Sequence, residues 1–462
     1  NYRVRPSASG HKRTSISDYP EHLLVAWLDY ESDTARSTRL AVRDGCLIVI
    51  SFHNATRDSK SLAERFMQRQ ILALILATVS IQAELMADQN PRARDLGIPF
   101  GGVPGEFNAI TDVAGVEVGH STIIRGSGPL KTGEGPVRTG VTAVLPRGRT
   151  SMDAVFAAWF SLNGNGEMTG TTWVEESGQL WGPVMITNTH SVGVVRDAVI
   201  DWGLNHAELD RPVDTDEWWG LPVVGETWDG WLKDLNGFHV KPEHAFEALN
   251  SARSGTVPEG NVGGGTGMIC YEFKGGIGTS SRVLTLGDQQ YTVGVLVQAN
   301  FGWRAQLRVA GVPVGKEIPG SPAYAATNLH GPNRDMGSII AVVATNAPVL
   351  PHQLKRISRR VAMGIARTGS VASNSSGDIF IAFSTNADLA GLEGAVGKVS
   401  MLPNSWMTQL FEATVQSTEE SIINAMVAAD TMTGVNDRTV IALPHDRLQA
   451  VLKKYGRLEG IE

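Results

Sequence analysis

Five residues of this sequence stand at the ends of apolar runs with side chains that could do chemistry. Ser338 follows Gly337 and opens the uncharged run Ile339 to Ala344. That run is short and rich in β-branched residues, which predicts a strand buried on both faces. A serine at the mouth of a core strand, after a loop carrying Pro322, Asn328, Gly331 and Pro332, is well placed for a nucleophile. It is also an ordinary strand start, so its company matters. Ser376 and Asp378 precede a second apolar run, Ile379 to Phe383, and supply a hydroxyl and a carboxylate. Asn300 closes the run from Val293 and supplies an amide N–H, and Glu226 closes Val223-Val224-Gly225 with a second carboxylate.

Other candidates are weaker. His190 sits in a polar corner before a helix, where a lone histidine is more often structural. Gly263-Gly264-Gly265-Thr266-Gly267 resembles a phosphate cradle, but it lacks the Lys-Ser/Thr of a P-loop and the dinucleotide spacing. Tight backbone packing is the expectation there. No Gly-x-Ser-x-Gly elbow and no His-Glu-x-x-His pair occurs. Cys46 and Cys270 fit neither a disulfide framework nor a metal spacing, so no metal or organic cofactor is expected. A net charge of -7 with no basic stripe argues against nucleic acid. With 42% hydrophobic and 19% charged residues, the chain has the means to build a large core.

Strands must position these residues. The alternation at Val116 to Val118, Thr139 to Leu145 ended by Pro146, Pro183 to Thr187, Thr292 to Asn300, Ser338 to Thr345 and Gly377 to Ser384 predicts strands. Ala154 to Phe160 fits strand or helix. Val194 to Trp202 has helical spacing, with Ser191 or Thr189 available as a cap. One helix is expected from about Gln353 to Arg367, with Lys355, Arg356, Arg359 and Arg360 on a solvated face, and another over 417–430. Strands and helices alternate loosely, predicting an α/β architecture of stacked sheets between helical layers.

The N-terminal part reads differently. Met67-Gln-Arg-Gln70 followed by the apolar run Ile71 to Ile81 and Gln82-Ala83 has the order of a secretory signal, and the run is too short to span a membrane. The expectation is an upstream, non-native or disordered extension over 1–66, a signal peptide over 67–83, and a single domain over 84–462. The mature protein would then be periplasmic or secreted, without a membrane anchor, and cytoplasmic if the signal is not real.

Several stretches together carry a specific resemblance: Arg94-Asp-Leu-Gly-Ile98, Asn108-Ala-Ile-Thr-Asp-Val-Ala-Gly-Val-Glu-Val-Gly-His120, Thr187-Asn-Thr-His-Ser-Val-Gly193, Gly225-Glu-Thr-Trp-Asp-Gly230, Gly263 to Thr279, Val297-Gln-Ala-Asn-Phe-Gly302, and Gly337-Ser-Ile-Ile340 with Ala344-Thr-Asn-Ala-Pro348. From about residue 92 to 462 the chain resembles the self-processing L-aminopeptidase/D-Ala-esterase/amidase family, which includes the β-aminopeptidases. The resemblance implies a four-layer αββα sandwich like that of N-terminal-nucleophile hydrolases. It also implies a precursor that cuts itself at Gly337–Ser338 into an α chain (84–337) and a β chain (338–462). Ser338 would be the nucleophile, with either its own freed amino group or Ser376 and Asp378 assisting. Asn300 would stabilise the oxyanion and Glu226 would bind the substrate's ammonium. Two departures stand out: Asp378 replaces a glutamate, and Trp228 stands where a substrate-binding tyrosine is expected. The substrates implied are short peptides, amino-acid amides or esters, and the assembly a homo-oligomer of αβ units, a tetramer. Acyl transfer of the ornithine-acetyltransferase type is an alternative, disfavoured because that family cuts at threonine. A non-catalytic ligand-binding protein on the same scaffold is another.

Overall fold

The computed structural model describes residues 90–206, 219–320, 337–386 and 396–460, with the backbone of three short strands nearer the N-terminus. The chain divides into two units, Asn1–Ala87 and Asp88–Glu462. In the first, β1 (Leu24–Trp27), β2 (Arg39–Arg43) and β3 (Cys46–Val49) pair antiparallel in that order. Apart from these strands, the extension and signal expected over 1–66 and 67–83 lie outside the described residues.

The second unit holds two main sheets. One runs β4 (Glu117–Arg125), β5 (Val137–Leu145), β8 (Val184–Asn188), β9 (Val223–Thr227), antiparallel except for the last pair. Its partner is six-stranded, with β6 (Val155–Gly164), β7 (Gln179–Leu180), β12 (Gly276–Leu286), β13 (Gln289–Asn300), β14 (Ser338–Thr345) and β15 (Gly377–Ser384) in the order β12-β13-β14-β15-β6-β7. Only β14 and β15 are parallel there. Two small ribbons complete the strands: β10 (Ile269–Cys270) with β11 (Phe273–Lys274), and β16 (Met432–Thr433) with β17 (Thr439–Val440).

Side chains alternate across each strand, so each sheet has two apolar faces to cover. The inner faces meet in a cluster where Val118, Val144, Val184 and Val223 of one sheet pack with Leu296, Ile340, Val342 and Ile381 of the other. Among the described residues the α-helices are α1 (Thr171–Ser177), α2 (Val192–Asn205), α3 (Pro242–Asn250), α4 (Val314–Glu317), α5 (Pro351–Ser358), α6 (Val361–Arg367), α7 (Met407–Val427) and α8 (His445–Lys454). Helices α2 and α3 cover the outer face of the four-stranded sheet through Val195, Val199, Ala245 and Leu249. The outer face of the six-stranded sheet lies under α5 to α8 through Leu354, Ile365, Leu410, Ile422 and Leu448. The result is the αββα sandwich expected from the resemblance. No described helix is long and apolar enough to cross a membrane.

Of the two readings open for Ala154 to Phe160, strand is the one observed, with Val155 to Phe160 in β6. Other sequence expectations need correction. The helix expected over 353–367 is two helices broken at Arg359 and Arg360. A Cβ at Gly364 would lie 2.5 Å from Thr418 Cβ and 2.8 Å from the Val415 carbonyl oxygen. The second helix is thus seated directly on α7. The basic run is only partly a solvated face: the Arg356 and Arg360 guanidiniums lie 5.0 and 3.9 Å from the Phe411 ring centre. The helix expected over 417–430 starts ten residues earlier, at Met407, and ends at Val427. Ser191 stands at the N-cap of α2 but makes no capping bond with its side chain; Asn188 caps the single turn Thr189–Ser191 before it by accepting the His190 N–H at 3.2 Å.

A buried ion network ties the segment before the first sheet to α7. Glu420 accepts from Arg94 Nε at 2.8 Å, Arg282 Nη2 at 2.7 Å and Asn108 Nδ2 at 2.6 Å. Burial pushes Glu420 up, but the Arg94 bonds and the Arg282 charge override it and hold the carboxyl below its usual range. A depressed folded pKa contributes stability at neutral pH that is lost as pH falls through the carboxylate range. Because the Arg282 side chain is fully buried, Glu420→Ala would strand its charge. Chemical denaturation is expected to show a loss of about 3–5 kcal/mol; a loss below about 1 kcal/mol, the scale of an exposed pair, would contradict the account.

Candidate active site

Strand register builds the site. Ser338, 4% exposed, is the first residue of β14 and pairs with Asn300 at the end of β13 and with Gly377 at the start of β15. Gly377 in turn pairs with Gly164 at the end of β6. One row across four strands therefore brings together four segments far apart in sequence. The carbonyl of Gly337 accepts the Gly377 N–H at 3.2 Å. A Cβ at residue 337 would lie 2.5 Å from Phe301 Cα and 2.9 Å from the Asn300 carbonyl oxygen. The Gly337–Ser338 peptide is thus clamped between β13 and β15, and only glycine fits before the serine.

Ser376 and Asp378 flank Gly377. The Ser376 hydroxyl donates to Asp378 Oδ1 at 2.6 Å, and both residues are buried. The far oxygen of Asp378 faces Asn163 Nδ2 at 3.4 Å.

Asn300 is held at both ends of its amide. Oδ1 accepts the Ile269 N–H at 2.8 Å, and Nδ2 donates to the Trp228 carbonyl at 2.9 Å. Nδ2 has a second hydrogen, so a fixed donor remains for a third partner. Trp228 meets Asn300 through its main chain. Its half-buried indole packs on Trp231, Leu232 and Ile269, so the side chain itself joins that small core.

Glu226 is the next-to-last residue of β9 in the opposite sheet and is 3% exposed. Oε1 accepts the Glu167 N–H at 3.1 Å and Oε2 accepts the Thr189 hydroxyl at 2.5 Å. A Cβ at Gly166 would lie 3.2 Å from Glu226 Oε1 and 3.2 Å from Gly377 Cα. This one-residue bridge brings the Glu226 carboxylate alongside the row that carries Ser338. Burial pushes the Glu226 carboxyl up, and the Thr189 and Glu167 hydrogen bonds only partly oppose it.

Other sequence candidates fall elsewhere. The His190 ring stacks on Phe238 with centres 5.9 Å apart and serves as a surface contact. In the glycine-rich loop, the Gly263 and Gly264 N–H groups donate to Thr122 and Thr142 hydroxyls at 2.8 and 3.1 Å. Those donors are taken, in line with tight packing rather than a phosphate cradle. Among the described residues, no three His, Cys, Asp or Glu side chains gather as a metal site. Sequence reasoning missed Thr189, Asn163 and the Gly377 N–H. Thr189 and Asn163 stood in polar loops after apolar runs, the same signal that exposed Asn300.

Residues 108–440 match peptidase family S58. The chain is 58% identical over 379 residues to the beta-peptidyl aminopeptidase BapA of Sphingosinicella microcystinivorans, covering 80% of this chain and 94% of that one. It is 47% identical over 390 residues to BapA of Sphingosinicella xenopeptidilytica, covering 83% and 95%. The L-aminopeptidase D-Ala-esterase/amidase of Ochrobactrum anthropi, described as a variant of the Ntn-hydrolase fold, superposes with a TM-score of 0.73 at 46% identity, covering 80% of this chain and 99% of that one. A Burkholderia sp. beta-aminopeptidase superposes with a TM-score of 0.70 at 45% identity, covering 79% and 99%.

Fold and similarity together define an aminopeptidase with the Ntn-hydrolase fold, a hydrolase of peptides. The chain belongs to peptidase family S58.

A raised carboxyl pKa means that ionised Glu226 weighs against folding above the carboxylate range, and that the cost disappears as pH falls and the folded group takes up its proton. Glu226→Gln is therefore expected to raise the melting temperature at neutral pH, with the gain shrinking towards pH 4. A gain that stays constant with pH would show that the charge is not the cause.

Proposed function

We propose that the protein cuts its own Gly337–Ser338 bond and then uses Ser338 as an N-terminal nucleophile. The observation that supports this most is the clamped peptide, whose Gly337 carbonyl already accepts the Gly377 N–H. That bond draws electrons from the carbonyl carbon and would strengthen as its oxygen gains charge. In the first cut, Ser338 Oγ attacks that carbon and the Gly337–Ser338 C–N bond breaks. The hydroxyl proton goes to the departing nitrogen, leaving an ester. Water then releases a Gly337 carboxylate and a free Ser338.

No α-amino group exists before this cut, so the first proton transfer needs another base, and the Ser376–Asp378 pair is the candidate. Afterwards the Ser338 amine, with an ordinary pKa of about 8, can take the proton within its own residue. The same steps on a substrate form an ester to its N-terminal residue, expel the remaining peptide as an amine, and finish with water. The free hydrogen on Asn300 Nδ2 serves the oxyanion, a role worth about 3 kcal/mol. Glu226 receives the substrate's ammonium; Thr189 and the Glu167 N–H hold its carboxylate in place.

Likeness to BapA supports N-terminal β-residues among the substrates, with D-alanyl amides or esters as the second reading. A panel of β-, L- and D-aminoacyl nitroanilides ranks them. We further propose homo-oligomers of αβ units and export through the 67–83 segment. Sizing of the native enzyme and N-terminal sequencing of the exported protein test these; a mature N-terminus upstream of Met67 would rule out export by that segment.

The central test is Ser338→Ala. It should give one band on a denaturing gel, where the native protein gives two, and no nitroanilide hydrolysis. Two bands or turnover from this variant would overturn the proposal. Gly337→Val should likewise remain one band, because its side chain meets the Phe301 backbone.

A further inference from the structure

The last turn of β6 carries a defect that the reaction as described does not use. Asp378 pairs with Asn163 while Ile379 pairs with Ser161, so Leu162 is an extra residue. This is a β-bulge, a device that re-aims a side chain where pairing ends. What it re-aims is Asn163. The Asn163 Nδ2 group donates to the carbonyls of Ala372 and Ser373 at 2.9 and 3.0 Å and stands 3.4 Å from Asp378 Oδ2. Two hydrogens serve three oxygens, with the carboxylate the longest contact.

The loop it grips is the one that presents Ser376. Ala372 is left-handed, with φ of 51°, a conformation that costs an alanine about 1–2 kcal/mol and persists only when its surroundings enforce it. Beyond it, the Ser376 N–H donates to the Ser373 carbonyl at 2.9 Å, closing the turn that aims the Ser376 hydroxyl. Just past the end of β6, Asn165 Nδ2 donates to the Ser375 carbonyl at 2.7 Å. Asn163 therefore reaches both ends of the Ser376–Asp378 pair: the hydroxyl through the turn and the carboxylate directly.

We propose that Asn163 is a positioning residue: set by the bulge in β6, its amide fixes the 372–376 loop and the far oxygen of Asp378, and so aligns the Ser376–Asp378 pair for proton transfer at Ser338. This rests on the proposed role of that pair. The shorter Asp378 side chain makes the alignment stricter, because a carboxylate one methylene nearer its own strand depends more on neighbours to set its direction.

The test compares Asn163→Asp and Asn163→Ala with the native enzyme and with Ser338→Ala. Asn163→Asp keeps the shape, removes both N–H donors and sets a carboxylate against Asp378, so a space-filling role and a donor role separate. The expectation for both Asn163 variants is kcat lower by about 10- to 100-fold with KM nearly unchanged, as for other misaligned catalytic groups. A protein that stays a single band yet melts cooperatively counts as the same loss, since its fold is intact while its first turnover fails. Asn163→Asp with native kcat would overturn the inference, as would a loss in kcat no greater than the fraction of unfolded protein at the assay temperature. If Ser338→Ala abolishes cleavage while Asn163→Asp is fully active, only this inference fails. Two chains from Ser338→Ala would remove the reading beneath it as well.

Discussion

The arrangement depends most on one constraint, the register of β14 between β13 and β15. Antiparallel pairing on one side puts Asn300 opposite Ser338, and parallel pairing on the other puts Gly377 there. A slip of one residue would turn every side chain of β14 to the opposite face. The slip is forbidden because β14 is buried on both sides, with Ile340 and Val342 in the inter-sheet core and Ile339, Ala341 and Val343 under the helices. Packing of a whole strand thus fixes the position of one serine and one carbonyl. Such sites on rigid strands hold geometry better than loops can.

The second sheet contributes differently. Glu226 comes from β9 and approaches the row across the sandwich interior, with Gly166 between it and Gly377. Its burial works against its charge, whereas the Thr189 and Glu167 hydrogen bonds retain it. Glu420 is also buried, yet its arginine partners reverse the balance. Two carboxylates inside one domain therefore respond oppositely to pH: one is supported by ion pairs and contributes stability, the other has only hydrogen bonds and weighs against it. Among the described residues, Glu226 has no cationic neighbour to offset its burial.

Much of this was legible in the sequence, because buried strands announce themselves as apolar runs and polar residues at their ends are conspicuous. Ser338, Asn300, Glu226 and the pair Ser376 and Asp378 were all found that way. What could not be read was who faces whom. The pairing of Asp378 with Asn163 crosses more than two hundred residues and turns on one extra residue in β6, and a bulge leaves no mark in hydrophobic periodicity. The break between α5 and α6 was hidden for a related reason: the apolar stripe continues through it, while the close approach of Gly364 to α7 is a tertiary fact. Trp228 illustrates a third limit. Its sequence position suggested a role for the ring, but the bond to Asn300 is made by the main chain, which any residue supplies.

Asn300 shows how far the support of one donor extends. Its amide is oriented by Ile269, which belongs to a turn braced by Lys274. That lysine is fully buried, with Nζ donating to the carbonyls of Met268 and Gly275 at 2.8 and 2.7 Å. Burial pulls its pKa down to about 7. The unfolded chain then binds more protons than the folded one between about pH 7 and the ordinary lysine range, so this group favours folding increasingly as pH rises there. A neutral amine still has two N–H donors for the same carbonyls, so the brace survives loss of the proton. The turn that aims Asn300 thus draws its order from hydrogen bonds rather than from an ion pair, and it keeps that order through the pH range in which a freed serine amine would pass from acid to base.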